Sequence, residues 1–232
     1  MKTLLLWIFL ASIFLLAAGC GDMPVDGSWD KPAASNEVEK IEVPKKPATQ
    51  PAARIALYWE NTTAPHPERK PWSDAVIGLF KKDLDTFKKA SDISTFCPKF
   101  QSLGESDQLK ALGEFWVAVS YFESGFNPAS ASVDVGTKEN KDTWSVGLYQ
   151  MSVVDQKNYK LPFGYKYDDL LKPIPNITLA LAVLKAQVEK RGVLAIPAPN
   201  PGLYWAVLRP GGKYDHSAEI AGRVKKYAPK CN

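Results

Sequence analysis

The sequence predicts a mainly α fold, a single domain with at most a small β element. Two segments carry that prediction by their apolar spacing, and a third by lacking any. "SDAVIGLFKKDLDTFKKAS", from Ser73, sets Val76, Leu79, Phe80, Leu84 and Phe87 at helical intervals with Lys and Asp on the other face. "SDQLKALGEFWVAVSYFES", from Ser106, sets Leu109, Leu112, Trp116 and Val119 on one stripe. Between the second helix and the next apolar run, "ASASVDVGTKENKDTWSVGLYQMS" is rich in Ser, Gly, Asp and Lys. It reads as a long loop with room for only a small sheet.

From the start of the chain, residues 1–19 are a targeting segment outside the fold. Lys2 supplies the positive start, and "LLLWIFLASIFLLAAG" is an apolar run ending in small residues. "LAAGC" resembles the lipobox of bacterial lipoproteins, which implies that Cys20 is acylated and becomes the new N-terminus. A cleaved secretory signal and an uncleaved anchor helix are the alternatives; all three export the chain. One acyl chain holds a membrane only marginally, and lipoprotein acylation supplies more than one. Gly21 rather than aspartate follows the cysteine. The expected place is therefore the bacterial cell envelope, lipid-anchored and facing the periplasm, with the outer membrane favoured, or else secretion.

Residues 20–54 are rich in Pro, Ala, Lys and Glu without a sustained apolar period, and read as a flexible tether. Residues 55–232 have the size of one ordinary domain and enough Trp, Phe, Leu and Val to bury a core. Ser73 is placed as the N-cap of the first helix. A shorter helix around Ile93 to Leu103 carries Cys97, with Pro98 forcing a start or a kink. Ser106 is placed as the cap of the apolar helix, which Gly125 and Asn127-Pro128 stop. "NITLALAVLKAQVEKR" is the next core helix, capped by Asn176 and ended by Gly192, and "HSAEIAGRVKKYA" supplies a terminal one.

A net charge of +4 is only mildly basic and gives no support to a nucleic-acid partner. His66 and His216 are the only histidines, and no HExxH or CxxC pattern fixes a tetrahedral site, so neither metal nor another cofactor is expected. With Cys20 acylated, Cys97 and Cys231 remain; in an oxidising compartment they suggest one disulfide rather than free thiols or metal ligands.

Glu123 is the residue that needs a reason. It is the next member of the stripe after Trp116 and Val119, and its neighbours three and four away, Val119, Ser120, Phe126 and Asn127, include no cation. Burial and the negative end of the helix dipole both push its pKa upward, as a general acid near neutral pH requires. The competing reading is a buried ion pair with a distant Arg209 or Lys138. Residues alone leave both open.

"ESGFNPASAS", at Glu123, resembles the first motif of the goose-type lysozyme and soluble lytic transglycosylase superfamily. "VGLYQMS", at Val146, resembles its second, and "PIPNITLALAVLKAQVEKR" its Asn-Ile helix, in the family's order. The resemblance implies a lysozyme-like domain that cuts the β-1,4 bond between N-acetylmuramic acid and N-acetylglucosamine in peptidoglycan glycan strands. It implies Glu123 as the acid and Ser124 as a residue holding it or a substrate group. Gly147 would allow close backbone approach to the sugar, and Gln150 would line the cleft with Tyr149 in front of it. A turn role for Gly147 and a structural hydrogen bond for Gln150 stand beside those readings.

The sequence also departs from the family. The later Ala-Tyr-Asn-Ala-Gly motif has only "YWAVLRPGGKY" as counterpart, so Tyr204 or Trp205 fills the space or simply packs in the core. "VDVGTKENKDTW" resembles an insertion over the cleft; its Asp134 and Asp142 are candidate second carboxylates for a hydrolase, or solvated loop acids. The motif wording is closer to the lytic transglycosylases than to lysozymes, and the missing Tyr-Asn pair motivates a non-catalytic peptidoglycan-binding lipoprotein as the alternative. A Ser-His-Asp hydrolase has only "YDHS", whose adjacent residues cannot converge as a triad.

Overall fold

The computed structural model describes residues 53–133, 139–195 and 204–232, all within the unit Pro51–Asn232. These residues form eight α-helices and a two-stranded sheet. Cys20, Asp134 and Lys138 lie outside the described residues.

Helix α1 runs Lys70–Lys82 and starts ahead of Ser73, because Pro71 in its first turn presets a helical φ. Ser73 is therefore not a cap. It is fully buried and accepts a 2.7 Å hydrogen bond from the Trp59 indole. The expected continuous helix breaks at Asp83 (φ −114°), and α2 covers Leu84–Phe87. The break lets Phe80 and Phe87 meet edge to face at 4.8 Å. Helix α3 is only Ile93–Phe96, with Cys97 as its C-cap and Pro98 beyond it. Cys97 is bonded to Cys231 across 134 residues, a loop closure worth about 5 kcal/mol in the chain-entropy account.

Helix α4, Glu105–Ser124, is the centre of the fold, packed against α1 on one side and the terminal helix on another. Gly104, not Ser106, is its N-cap, and Glu105 and Asp107 place negative charge at the positive end of its dipole. Twelve of its residues are buried, from Gln108 to Ser120, so only its ends meet solvent. Gly125 ends it in the left-handed conformation (φ 61°). Phe126 also takes a positive φ (66°), unusual for a bulky residue. Its ring packs edge-on to Trp59 at 6.2 Å and under the Arg69 guanidinium at 5.4 Å.

The long loop contains the small sheet: β1, Ala131–Ser132, pairs antiparallel with β2, Ser145–Val146. Then come α5 (Val153–Asn158), α6 (Tyr167–Leu170), α7 (Pro173–Arg191) and α8 (Ser217–Tyr227). Gly192 ends α7 at φ 71°. Asn176 does not cap that helix, which begins at Pro173; it sits inside the first turns, fully buried. Its Oδ1 accepts from the Tyr149 amide at 2.9 Å, while Nδ2 donates to the carbonyls of Val146 (2.8 Å) and Leu170 (2.9 Å). One side chain thus joins α7, α6 and the turn after β2. Gly147, at φ 76°, passes so close that a Cβ would come 2.3 Å from Asn176 Nδ2 and 2.4 Å from the Leu170 carbonyl.

At the other end, Arg54 enters the fold through a two-pronged pair with Glu60 (2.9 and 3.0 Å), a 2.6 Å bond to Asp74 and a 2.7 Å bond to the Lys70 carbonyl. The Tyr58 amide reaches buried Glu114 at 2.9 Å.

Replacing Asn176 by Ala strands a buried amide and two buried carbonyls, each worth about 1–3 kcal/mol when unpaired. Urea unfolding of Asn176→Ala should show a loss of at least about 3 kcal/mol. A midpoint unchanged from wild type would remove the clamp's importance.

Candidate active site

Glu123 rides on the last turn of α4, where the helix emerges from the core and its carboxyl faces a pocket of about 410 Å³. The helix brings it there by register: Trp116 and Val119, which precede it on the stripe, are fully buried. Burial pushes its pKa up from the ordinary 4.5 to about 7, against a smaller downward pull from the positive charge of Arg209. Both sequence readings therefore have a physical counterpart, and desolvation outweighs the guanidinium.

The opposite wall is the turn after β2. Gln150 lines the pocket at a positive φ (51°), and its amide Nε2 donates to the Gly147 carbonyl at 3.0 Å. The turn is closed by the pairing of Val146 with Met151, the amide of each reaching the carbonyl of the other at 2.9 Å. Ser124 does not point into the pocket as a free hydroxyl. It donates to the Leu148 carbonyl at 2.9 Å, with the Ser120 carbonyl at 3.2 Å, strapping α4 to this turn. Tyr149 does not stand in front of Gln150 either: it is fully buried, stacked on Trp116 at 4.5 Å. Gln150, at its positive φ, is turned out to the pocket, while Leu148, Tyr149 and Met151 around it are fully buried. Gly147 has its reason in the approach of Asn176.

Tyr204 and Trp205 divide the two roles that the sequence left open. Trp205 is a core residue, edge-on to Trp116 at 4.9 Å, its indole donating to the Tyr149 carbonyl at 3.0 Å. Tyr204 brings its hydroxyl to the pocket, 2.9 Å from the Gln150 carbonyl and 2.6 Å from Asp155 Oδ2. The same Oδ2 accepts from the Ser152 amide (2.7 Å) and hydroxyl (2.8 Å). Burial raises the Asp155 pKa, the donors opposing it, and burial followed by the Asp155 charge raises that of Tyr204. A phenol has one proton for these two acceptors. The shorter contact, 2.6 Å, is the one to the Asp155 carboxyl, and the Gln150 carbonyl lies on the far side of the same hydroxyl at 2.9 Å.

Asp155 escaped the sequence reading. "SVVD" shows only a Ser-x-x-Asp capping pattern, which indeed starts α5; nothing in it marks a pocket wall. Thr143 and Ser145, from the loop, complete the polar rim. Asp142 sits in the exposed turn Lys141–Thr143 and is not among the pocket residues. Among the described residues no cluster of His, Cys, Asp or Glu is arranged to hold a metal.

Residues 105–204 match the family model described as Transglycosylase SLT domain. No curated protein matches the chain. Among solved structures, Bd0314 DslA in a wild-type form is similar at a TM-score of 0.64, with 23% identity over 78% of this chain and 100% of that one. A glutamate-to-glutamine mutant of the same protein gives 0.63 and 24% over the same shares. At that identity the likeness concerns the fold, and the fold is mainly helical with one small sheet. Over residues 105–204 the chain thus matches the Transglycosylase SLT domain model, and its mainly helical fold is like that of DslA.

Proposed function

We propose that this protein cleaves the β-1,4 bond between N-acetylmuramic acid and N-acetylglucosamine in peptidoglycan as a lytic transglycosylase, with Glu123 as both acid and base. An SLT domain implies peptidoglycan as the substrate bound. The observation that carries the catalytic reading is a carboxyl with a pKa of about 7 on the rim of a polar pocket.

The chemistry follows from that pKa. Protonated Glu123 gives its proton to the glycosidic oxygen as the C1–O bond breaks, leaving positive charge on the sugar ring. The resulting carboxylate sits close enough to compensate that charge in a partly dehydrated pocket. It then takes the proton of the muramic 6-hydroxyl as O6 bonds to C1, giving a 1,6-anhydro end and restoring the acid. Water is not consumed. Gln150 and Tyr204 form the wall facing this event, and Asp155 holds Tyr204 against the Gln150 carbonyl.

Asp155 also supports a second reading, hydrolysis, because it places another carboxyl in the same pocket. The transglycosylase reading is preferred because Oδ2 of Asp155 already receives three donors, which suits a strut better than a base. Acylation at Cys20 would hold the enzyme at the envelope membrane, the outer membrane by preference, with the residues between Cys20 and the clamp at Arg54 as tether.

Purified sacculi treated with wild type should release products ending in 1,6-anhydromuramic acid, lighter by one water than reducing ends on mass spectrometry. Glu123→Gln should lose activity by at least about a hundredfold. Equal release by the two proteins would sink the catalytic reading and favour a glycan-binding lipoprotein. Reducing ends would select hydrolysis.

Because the protonated form works, kcat/KM should fall as pH rises through about 7. The same shift has a stability signature. Below 4.5 folded and unfolded chains both hold the proton; above it the unfolded chain releases it first, so stability is lost progressively up to about 7. Glu123→Gln avoids that loss and should be more stable than wild type by up to about 3 kcal/mol at alkaline pH, with little difference in acid. Parallel curves of stability against pH would contradict the raised pKa.

A further inference from the structure

The last turns of α4 also wall a second groove, of about 430 Å³, which shares no lining residue with the Glu123 pocket. Tyr121 and Phe122 form one side, and Gly222, Arg223, Lys226 and Tyr227 of α8 the other. Tyr121 is 42% exposed although it is a large aromatic. The Arg223 guanidinium lies 3.6 Å from the centre of the Tyr121 ring and 5.5 Å from that of Phe122. The Lys226 ammonium is 5.2 Å from the Tyr227 ring, which stacks on Tyr58 at 3.9 Å.

Two features indicate a ligand rather than a solvated face. The acid at the groove, Glu219, is engaged by His216 at 3.3 Å, so Arg223 and Lys226 have no carboxylate partner among the described residues. Gly222 stands in the middle of α8, where glycine is the poorest residue after proline. Packing does not require it, since an added Cβ would have no neighbour within 4 Å. What its lack of a side chain does is keep the floor of the groove open.

A guanidinium laid flat on a ring keeps its N–H edge free and already ordered, the arrangement that receives a carboxylate through two parallel hydrogen bonds. The tyrosine faces beside it suit the alkyl part of the same molecule. We propose that this groove binds the free carboxylate of a short peptide, of the kind that peptidoglycan carries on its glycan, and so holds the polymer by its peptide while Glu123 acts on the sugar chain. The peptide's source rests on the function proposed above; the carboxylate chemistry stands on the groove alone.

The test is calorimetric titration of the full chain carrying Glu123→Gln with L-alanyl-γ-D-glutamyl-diaminopimelic acid, and with the same peptide amidated at its carboxylates. Binding of the free acid should weaken about tenfold or more in Arg223→Gln/Lys226→Gln and in Gly222→Leu, and the amidated peptide should bind about as poorly to the parent. Gly222→Leu favours the helix, so a thermal melt no lower than the parent's certifies its fold. Equal affinities across these proteins, or for acid and amide, overturn the proposal.

On an otherwise wild-type background, peptide-free glycan strands should be cut equally by the parent and by Arg223→Gln/Lys226→Gln, and peptide-bearing sacculi more slowly by the variant. If the parent cuts neither substrate the proposed activity fails, while the peptide titration still decides the groove. Loss of binding to phosphatidylglycerol vesicles in the variants, with the peptide titration unchanged, would assign the groove to a membrane and overturn the proposal.

Discussion

The carboxamide of Asn176 is the constraint on which the site depends. A buried amide has two donors and one acceptor group to satisfy, and here they meet three backbone groups from α6 and the turn after β2. That turn must then pass so close to α7 that only glycine fits at position 147. Once it is fixed, the conformation of the turn decides the rest. Tyr149 goes into the core beneath Trp116, Gln150 goes out to the pocket, and the Tyr149 carbonyl receives the Trp205 indole. Tyr204, next in sequence to Trp205, is thereby delivered to Gln150 and Asp155. A loop poor in apolar residues becomes a rigid wall through one polar side chain of a neighbouring helix.

Facing that wall, Glu123 owes its character to a contest between medium and charge. The helix that carries it is buried along most of its length, and the carboxyl inherits enough of that environment to resist ionisation. Arg209 pulls the other way and loses. The outcome leaves the group near half ionised at neutral pH, the balance that suits the acid-and-base role proposed for it.

Much of this was legible in the sequence. Apolar stripes announced α1, α4, α7 and α8, and the glycines at 125 and 192 marked two helix ends correctly. The stripe of α4 also singled out Glu123. What the sequence does not show is local: Ser73, Ser106 and Asn176 have the pattern of caps, because short polar residues before an apolar run usually serve as caps. In the fold Ser73 serves Trp59 and Asn176 serves a turn, contacts between segments remote in the chain that no local pattern encodes. Asp155 and the inward turn of Tyr149 were hidden for the same reason, since both depend on a turn whose register is set by α7.

The clamp around Arg54 has a mechanical meaning. A pull on the chain ahead of residue 53 reaches the fold first at a guanidinium held by Glu60, Asp74 and the Lys70 carbonyl. Just behind it, the Tyr58 amide is held by Glu114 on the central helix. Tension would have to break several bonds together instead of peeling them singly, and the opposite end is fastened covalently through Cys231. A body so secured at both ends can be pulled by the chain ahead of it, or resist a taut polymer, without its central helix being the part that yields.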